Sequence, residues 1–212
     1  NRRDNDSNTK SIMAKLFEQK LDLCLFMQTR KEHEEIYNKY KNDVHNTIKN
    51  LPENDISVRQ NIKLIKEYSK DNALNDLTSS KVISLSEKLA PCIPMMQDNI
   101  KSLKFDELMY NIMIANLRQQ DSMRYIRQLN DIADKLLESK LPVVNKHKDL
   151  LEEIVNEKVT QHTSIKELEN IRQILRPLVI YIDGTTNEIY ITNFEDKILE
   201  TEVAENEPVR KL

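Results

Sequence analysis

The stretch "FDELMYNIMIANL", residues 105–117, carries the strongest helical pattern in this 212-residue chain. Its apolar residues recur at steps of three and four, which is the spacing of one face of an α-helix. The stripe consists of Phe105, Leu108, Met109, Ile112, Met113 and Leu117. Similar stripes before and after it predict a mainly helical fold.

The other stripes show where these helices should begin and end. They cover residues 12–27, 37–51, 58–68, 82–89, 125–137, 144–155 and 168–178. Leu51-Pro52 and Leu141-Pro142 predict helix ends, because proline disfavours helical geometry in the residue before it. Ser57 is a candidate N-cap, and Ser164 with Glu167 forms a candidate capping box.

A wholly polar stretch, "QTRKEHEE" at residues 28–35, separates the first two stripes. It is either an exposed turn of one long helix or the bend of a helical hairpin. The pattern of the sequence favours neither alternative, and we interpret residues 30–35 as an ordinary solvated segment.

The end of the chain predicts a different element. Pro177 must kink or end the last helix, because it lacks the amide that would bond one turn back. Residues 178–182 are rich in β-branched side chains, Asp183-Gly184 is a turn signal, and residues 188–193 alternate as a strand would. We therefore expect a β-hairpin of 178–182 with 188–193, with a helix continuing to residue 182 as the alternative.

These patterns predict a mainly α fold, an irregular multi-helix bundle with a short C-terminal β-hairpin or strand. Residues 1–75 are expected to form a helical hairpin or linking helices. Residues 76–212 are expected to form a helical domain that ends in the β element and an acidic tail. Only 39% of the residues are apolar and 32% are charged, which is typical of helices with one buried stripe and a wide solvated face.

The composition excludes several classes of enzyme. Gly184 is the only glycine, whereas phosphate-binding loops need glycines so that backbone amides can close on the ligand. Neither a P-loop nor a dinucleotide-binding motif is present. The four histidines show no metal-ligand spacing, and no Ser-His-Asp arrangement can be assembled. We therefore predict no catalytic, cofactor-binding or metal-binding residues in this chain.

The acidic end of the chain is a further candidate site. Residues 183–207 hold eight carboxylates against one lysine. Asp183, Glu188, Glu195 and Asp196 could be imagined as a metal or acid/base cluster. A solvated strand edge that discourages aggregation is the favoured interpretation, and such an end would repel nucleic acid.

Three arginines form the best candidate for a contact with nucleic acid or a protein partner. Arg118, Arg124 and Arg127, with Tyr125 between them, give a basic and aromatic cluster that could contact phosphates. The alternative is a polar helix face that pairs with acidic residues 121 and 131.

The remaining features indicate the compartment. Cys24 and Cys92 lack CxxC spacing and are interpreted as structural thiols of a reduced, cytoplasmic protein. No apolar run reaches 18 residues, so we expect no membrane association. The opening "NRRDNDSNTK" has no initiator methionine, and we interpret the chain as an internal fragment of something longer.

Five segments, in this order, resemble a known family. They are "FDELMYNIMIANL" (105–117), "LNDIADKLLESKLPVV" (129–144), "LLEEI" (150–154), "ELENIRQILRPLVIYID" (167–183) and "IYITNFEDKI" (189–198). Together they resemble the C-terminal region of the R (restriction) subunit of type I restriction-modification enzymes. The last segment is similar to that family's pattern of tyrosine, threonine, any residue, phenylalanine, a carboxylate and aspartate, with Ile191 inserted after the tyrosine.

The resemblance implies a role within a larger enzyme. The R subunit joins a nuclease to an ATP-driven DNA translocase, and its C-terminal helices are implied to dock on the methyltransferase and specificity subunits or to brace the motor near DNA. ATP and Mg are implied for the parent and for no site in this chain. The expected role of the chain is assembly without catalysis. The alternatives are a stand-alone helical adaptor, which would bind partner helices through the 105–137 stripe, or a DNA-binding module.

Overall fold

The first helix is the longest element of the fold. The computed structural model describes residues 2–182, and within them α1 runs unbroken over Arg2–Lys49. The polar stretch at 28–35 is therefore part of one long helix, and the hairpin alternative is excluded. Gln, Arg, Lys and Glu, which make up most of this stretch, have high helix propensity, so nothing local interrupts the helix. α1 ends before Pro52, as predicted.

Eight further helices follow α1 in the described residues. They are α2 (Ile56–Gln60), α3 (Ile62–Tyr68), α4 (Ser79–Lys88), α5 (Gln97–Leu117), α6 (Met123–Ser139), α7 (Pro142–Asn145), α8 (Lys148–Val155) and α9 (Ile165–Leu175). Short 3₁₀ turns precede α5, at Pro94–Met96, and follow α9, at Val179–Tyr181. No strand occurs between residues 2 and 182, so the prediction of a mainly α fold is confirmed for that part.

The first strand of the predicted hairpin is not formed. Residues 179–181 make a 3₁₀ turn in place of a strand. The Lys101 ammonium group on α5 donates hydrogen bonds to the carbonyl oxygens of Ile180 and Ile182, at 3.3 and 2.8 Å. These bonds connect the segment, with its β-branched side chains, to α5. The predicted turn and second strand, at residues 183–193, lie outside the described residues.

The capping predictions had mixed outcomes. Ser164 accepts a hydrogen bond from the amide of Glu167 at 3.2 Å, which confirms the N-cap of α9. Ser57 is not a cap. Asp55 holds that position, and its carboxylate accepts from the amide of Ser57 at 2.8 Å. The helix expected there is divided at Asn61 into α2 and α3.

The buried apolar side chains form two groups that share α1 and α5. The first core contains residues from the second half of α1, from α2, α3 and α4, and from the start of α5. The second core contains the rest of α5, most of the buried side chains of α6, α8 and α9, and Phe26 of α1. The two groups meet on α5 between Leu103 and Phe105. The division proposed at residues 75 and 76 stays a prediction.

Candidate functional site

Three charged side chains of α5 are buried in the interior. Lys104, Asp106 and Glu107 are each at most 1% exposed. Because successive residues of a helix point in different directions, each of the three meets a different neighbour. Lys104 forms an ion pair with Glu87 of α4, and Glu107 accepts a hydrogen bond from the Ser79 hydroxyl at 3.1 Å. Asp106 faces α9.

Asp106 is bound by two arginines, Arg172 of α9 and Arg176, the residue that follows α9. Nη1 of Arg172 donates to Oδ1 at 2.9 Å, and Nε of Arg176 donates to Oδ2 at 2.9 Å. Both oxygens of the carboxylate are thus occupied by guanidinium groups. Charge-assisted hydrogen bonds of this kind are about twice as strong as neutral ones. We call Asp106, Glu169, Arg172 and Arg176 the Asp106 cluster.

Glu169 completes the balance of charge. Its two oxygens accept from Nε and Nη2 of Arg172 at 2.8 and 2.6 Å, a bidentate pair within α9. Glu169, Arg172 and Arg176 lie three and four residues apart, and Arg176 caps the end of α9 with helical backbone angles, so all three lie on one side of the helix. The charges of the two carboxylates and the two guanidinium groups sum to zero. Such pairing offsets the desolvation free energy that buried ions lose.

Aromatic side chains connect the Asp106 cluster to α1. The Arg172 guanidinium lies 5.4 Å from the centroid of the Tyr110 ring, and the His33 and Tyr110 rings are 4.9 Å apart. The Tyr110 hydroxyl donates to the backbone oxygen of Thr29 at 3.3 Å. Nδ1 of His33 lies 3.7 Å from Oδ2 of Asp106. The cluster therefore joins α1, α5 and α9 at one point.

The environment fixes the protonation states of these groups. Burial lowers the pKa of His33, against the opposing charge of Asp106, so the imidazole is neutral near pH 7. Burial also raises the pKa of Tyr110, which stays protonated. Burial lowers the pKa of Arg172, but its hydrogen bonds to Glu169 and the charge of Asp106 outweigh this and keep it above the usual value. The cluster is suited to holding helices together.

The three predicted arginines are placed at two locations. Arg124 and Arg127 are exposed and one turn apart on α6. Arg118 is half-buried at the end of α5, where it lines a groove between α1 and residues 161–165 to which the other two do not contribute. Tyr125 is packed in the second core and offers no ring for stacking on a base. Tyr125 is therefore not part of an exposed basic and aromatic surface, and a contact of the three arginines with nucleic acid or a protein partner stays a prediction.

Two further sequence interpretations change. The apolar stripe proposed as an adaptor surface is buried from Phe105 to Leu136, with Leu117 and Met123 partly buried, so the folded chain covers it with its own helices. His33, within the segment interpreted as solvated, is only 5% exposed. The four tail carboxylates considered as a site lie outside the described residues. Among residues 2–182, no group of three His, Cys, Asp or Glu side chains could hold a metal ion.

The Asp106 cluster was missed by the sequence interpretation, although local signals for it exist. Lys104, Asp106 and Glu107 are charged residues inside the strongest apolar stripe, and such residues need partners if the helix is buried on every side. His33 lies seven residues after Phe26 and four before Tyr37, which continues the buried side of α1. These spacings point to buried polar side chains without identifying their partners.

Three remaining observations bear on the type of protein. Comparison of the chain with protein-family models, with curated proteins and with solved structures found no match. Within residues 2–182, no helix combines the length and the apolar character that a membrane-spanning segment needs. Both cysteines are free thiols, with Cys24 exposed on α1 and Cys92 buried in the first core.

Proposed function

We propose that this chain is a helical assembly region from the C-terminal part of a type I restriction enzyme R subunit. Its parent would perform ATP-dependent DNA translocation and endonucleolytic cleavage. The observation that carries the proposal is the location of the resembling segments. The described parts of four of them, up to residue 182, lie on α5, on α6 and α7, on α8 and on α9, and all four contribute to the second core.

The Asp106 cluster fixes the positions of two of these segments relative to each other. Asp106 belongs to the first resembling segment, and Glu169, Arg172 and Arg176 belong to the fourth. Segments far apart in the chain are thus held at fixed positions by buried ion pairs. A fixed helical body is suited to carrying docking surfaces, and the motor, nuclease, ATP and Mg of the parent would belong to other regions.

Reconstitution tests the assembly role. The tagged chain would be mixed with the methyltransferase and specificity subunits of a type I system from its source organism, and the mixture separated by size-exclusion chromatography. We expect the chain to co-elute with both subunits. A second sample of the chain, truncated after Ile182, is separated in the same way. Its co-elution with the two subunits shows whether the acidic tail is needed for docking. Elution of the intact chain apart from both subunits would contradict the proposal.

A contact with DNA is the second candidate, and the exposed pair on α6 favours it. Arg124→Ala with Arg127→Ala would weaken binding of labelled duplex if both side chains neutralise phosphates. The slope of log affinity against log salt would then fall by about 0.9 for each lost contact. Lys63→Ala with Lys66→Ala is the matched control, since these exposed lysines are also one turn apart, on α3. Equal loss in both variants would argue for a nonspecific charge effect.

A further inference from the structure

A groove beside the Asp106 cluster opens to solvent between α1, α5, α9 and the 3₁₀ turn that follows α9. Its volume is about 590 Å³, which falls in the range of pockets that hold small molecules. Arg172 and Arg176 both line it. The ion pairs that join α5 to α9 therefore border an open cavity on this side.

Arg176 presents hydrogen-bond donors to the groove that the chain itself does not use. Its Nε donates to both oxygens of Asp106, at 3.1 and 2.9 Å, whereas its two Nη groups bond to no residue between 2 and 182. The side chain is 31% exposed. The two Nη groups form a planar fork that matches the two oxygens of a carboxylate. The outer end of Arg176 is thus available to an anionic ligand.

A buried hydroxyl lines the same groove. Ser102 of α5 is only 8% exposed. Its hydroxyl forms no hydrogen bond within the described part of the chain. Buried side-chain polar groups in folded proteins nearly always have a hydrogen-bond partner. A molecule in the groove that carries an acceptor would supply the partner that Ser102 lacks.

Apolar side chains line other parts of the groove. Ile36 of α1 is 45% exposed, and Tyr181 of the 3₁₀ turn is 44% exposed. Pro177 and Ile180 lie between Arg176 and Tyr181 in the sequence and also line the groove. Ligand pockets commonly combine apolar walls with a few polar groups that orient the ligand. This lining suits a ligand that has one charged group and an apolar body.

The charges around the groove favour a ligand with a single negative charge. Asp98 lines the groove, and the two carboxylates of the Asp106 cluster are bonded to the arginines. These three carboxylates would repel a dianion such as a phosphate monoester more strongly than a monoanion. A carboxylate brings only one charge and presents both of its oxygens to the fork of Arg176.

We propose that this groove binds an organic carboxylate through Arg176 and Ser102, with the apolar part of the ligand against Ile36 and Tyr181. The Nη groups of Arg176 and the hydroxyl of Ser102 donate to the ligand. Two sources supply this chemistry, a free organic acid and the carboxylates of residues 183–207, which follow the groove in the sequence. The binding would be independent of the proposed assembly role.

Phenylacetate tests this binding, with phenylacetamide as the neutral ligand of similar shape. Each is titrated into the full ¹⁵N-labelled chain, and the amide chemical shifts are followed by nuclear magnetic resonance. We expect saturable shifts at Ser102 and Tyr181, and at least about 10-fold weaker binding of phenylacetamide, because it cannot accept charge-assisted bonds on two oxygens. Phenyl phosphate should bind more weakly than phenylacetate because it carries a second negative charge.

Variants of the lining residues assign the binding to the groove. Arg176→Gln should weaken the binding of phenylacetate at least about 10-fold and leave that of phenylacetamide unchanged. Ser102→Ala removes the hydroxyl without touching the Asp106 cluster and should weaken phenylacetate binding about threefold. Arg127→Gln is the matched control, because it changes an exposed arginine on α6 and should leave binding unchanged.

A variant of the acidic end distinguishes the two sources of the carboxylate. Glu188→Gln, Glu195→Gln and Asp196→Asn are combined in one chain. Tighter binding of phenylacetate by this chain would show that its own carboxylates compete for the same donors. Unchanged binding would assign the groove to a free acid.

Four outcomes would overturn the proposal. They are no saturable shift in either the original chain or the variant of the acidic end, equal binding of phenylacetate and phenylacetamide, and tighter binding of phenyl phosphate than of phenylacetate. The fourth is an effect of Arg127→Gln as large as that of Arg176→Gln, which would show a nonspecific effect of charge. If Arg176→Gln does not fold, Ser102→Ala decides, and undiminished binding by that variant would exclude the groove.

Discussion

Arg172 and Asp106 form a buried ion pair, with Nη1 of Arg172 2.9 Å from Oδ1 of Asp106 and side chains 8% and 0% exposed. The pair joins the centre of α5 to α9 across 66 residues of sequence. Asp106 also accepts from Arg176, and Arg172 also donates to Glu169, so each of the two charges has a second partner. The stability of the fold should therefore depend on the completeness of the cluster more than on any single bond.

Replacement of Asp106 by leucine should destabilise the chain strongly. The variant leaves Arg172 and Arg176 with one carboxylate between them, and removing one partner of a buried pair costs about 3–5 kcal/mol. Urea unfolding monitored by circular dichroism would measure the change. Lys148→Ala is the control, since it breaks the exposed pair with Glu152 and should change stability by less than about 1 kcal/mol. If the Asp106→Leu variant had the same free energy of unfolding as the Lys148→Ala control, the cluster would not stabilise the fold.

His33 should make the stability depend on pH. Burial lowers its pKa in the folded chain, whereas in the unfolded chain the imidazole titrates near its ordinary value of about 6.5. Between these two values the unfolded state binds more protons, so stability rises with pH and is lost as pH falls below about 6.5. The groups that face His33 are Asp106, Glu169, Arg172 and Arg176.

The measurement compares unfolding midpoints at several pH values between about 7.5 and 5.5. The original chain should lose stability with a slope of up to about 1.4 kcal/mol per pH unit from this one group. His33→Gln should remove that component, because glutamine does not titrate. His162→Gln changes an exposed histidine and should keep the slope. Identical pH profiles for all three chains would show that His33 is not held neutral.

Lys101 should hold the turn that follows α9. Its ammonium group donates to the carbonyl oxygens of Ile180 and Ile182, and Lys101→Met keeps the length of the side chain while removing both bonds. Hydrogen exchange should then become faster at Tyr181 and Ile182, whose amides bond within this turn. Lys166→Met, at an exposed position of α9, should leave these rates unchanged. Unchanged exchange in the Lys101 variant would mean that the turn forms without it.

The features predicted correctly from the sequence follow local rules. The ends of α1 and α6 lie before prolines, and Ser164 caps α9 through a bond three residues away. The Asp106 cluster depends on the packing of α5 against α9, and no pattern within either segment identifies the other as its partner. The prediction of the first hairpin strand was wrong for a related reason. Its β-branched residues favour a strand, but strand preference depends on context, and Lys101 binds the segment as a turn.

The two serines predicted as N-caps should differ in their effect on stability, because the structure confirms Ser164 and replaces Ser57 by Asp55. Ser164→Ala should destabilise the chain by about 1 kcal/mol, because its hydroxyl accepts the bond from the Glu167 amide. Ser57→Ala should change stability by less than about 0.5 kcal/mol, since Asp55 holds the cap of α2. Asp55→Ala should cost about 1 kcal/mol. Urea unfolding of the three variants would rank them, and a loss at Ser57 equal to that at Asp55 would mean that the serine is the true cap.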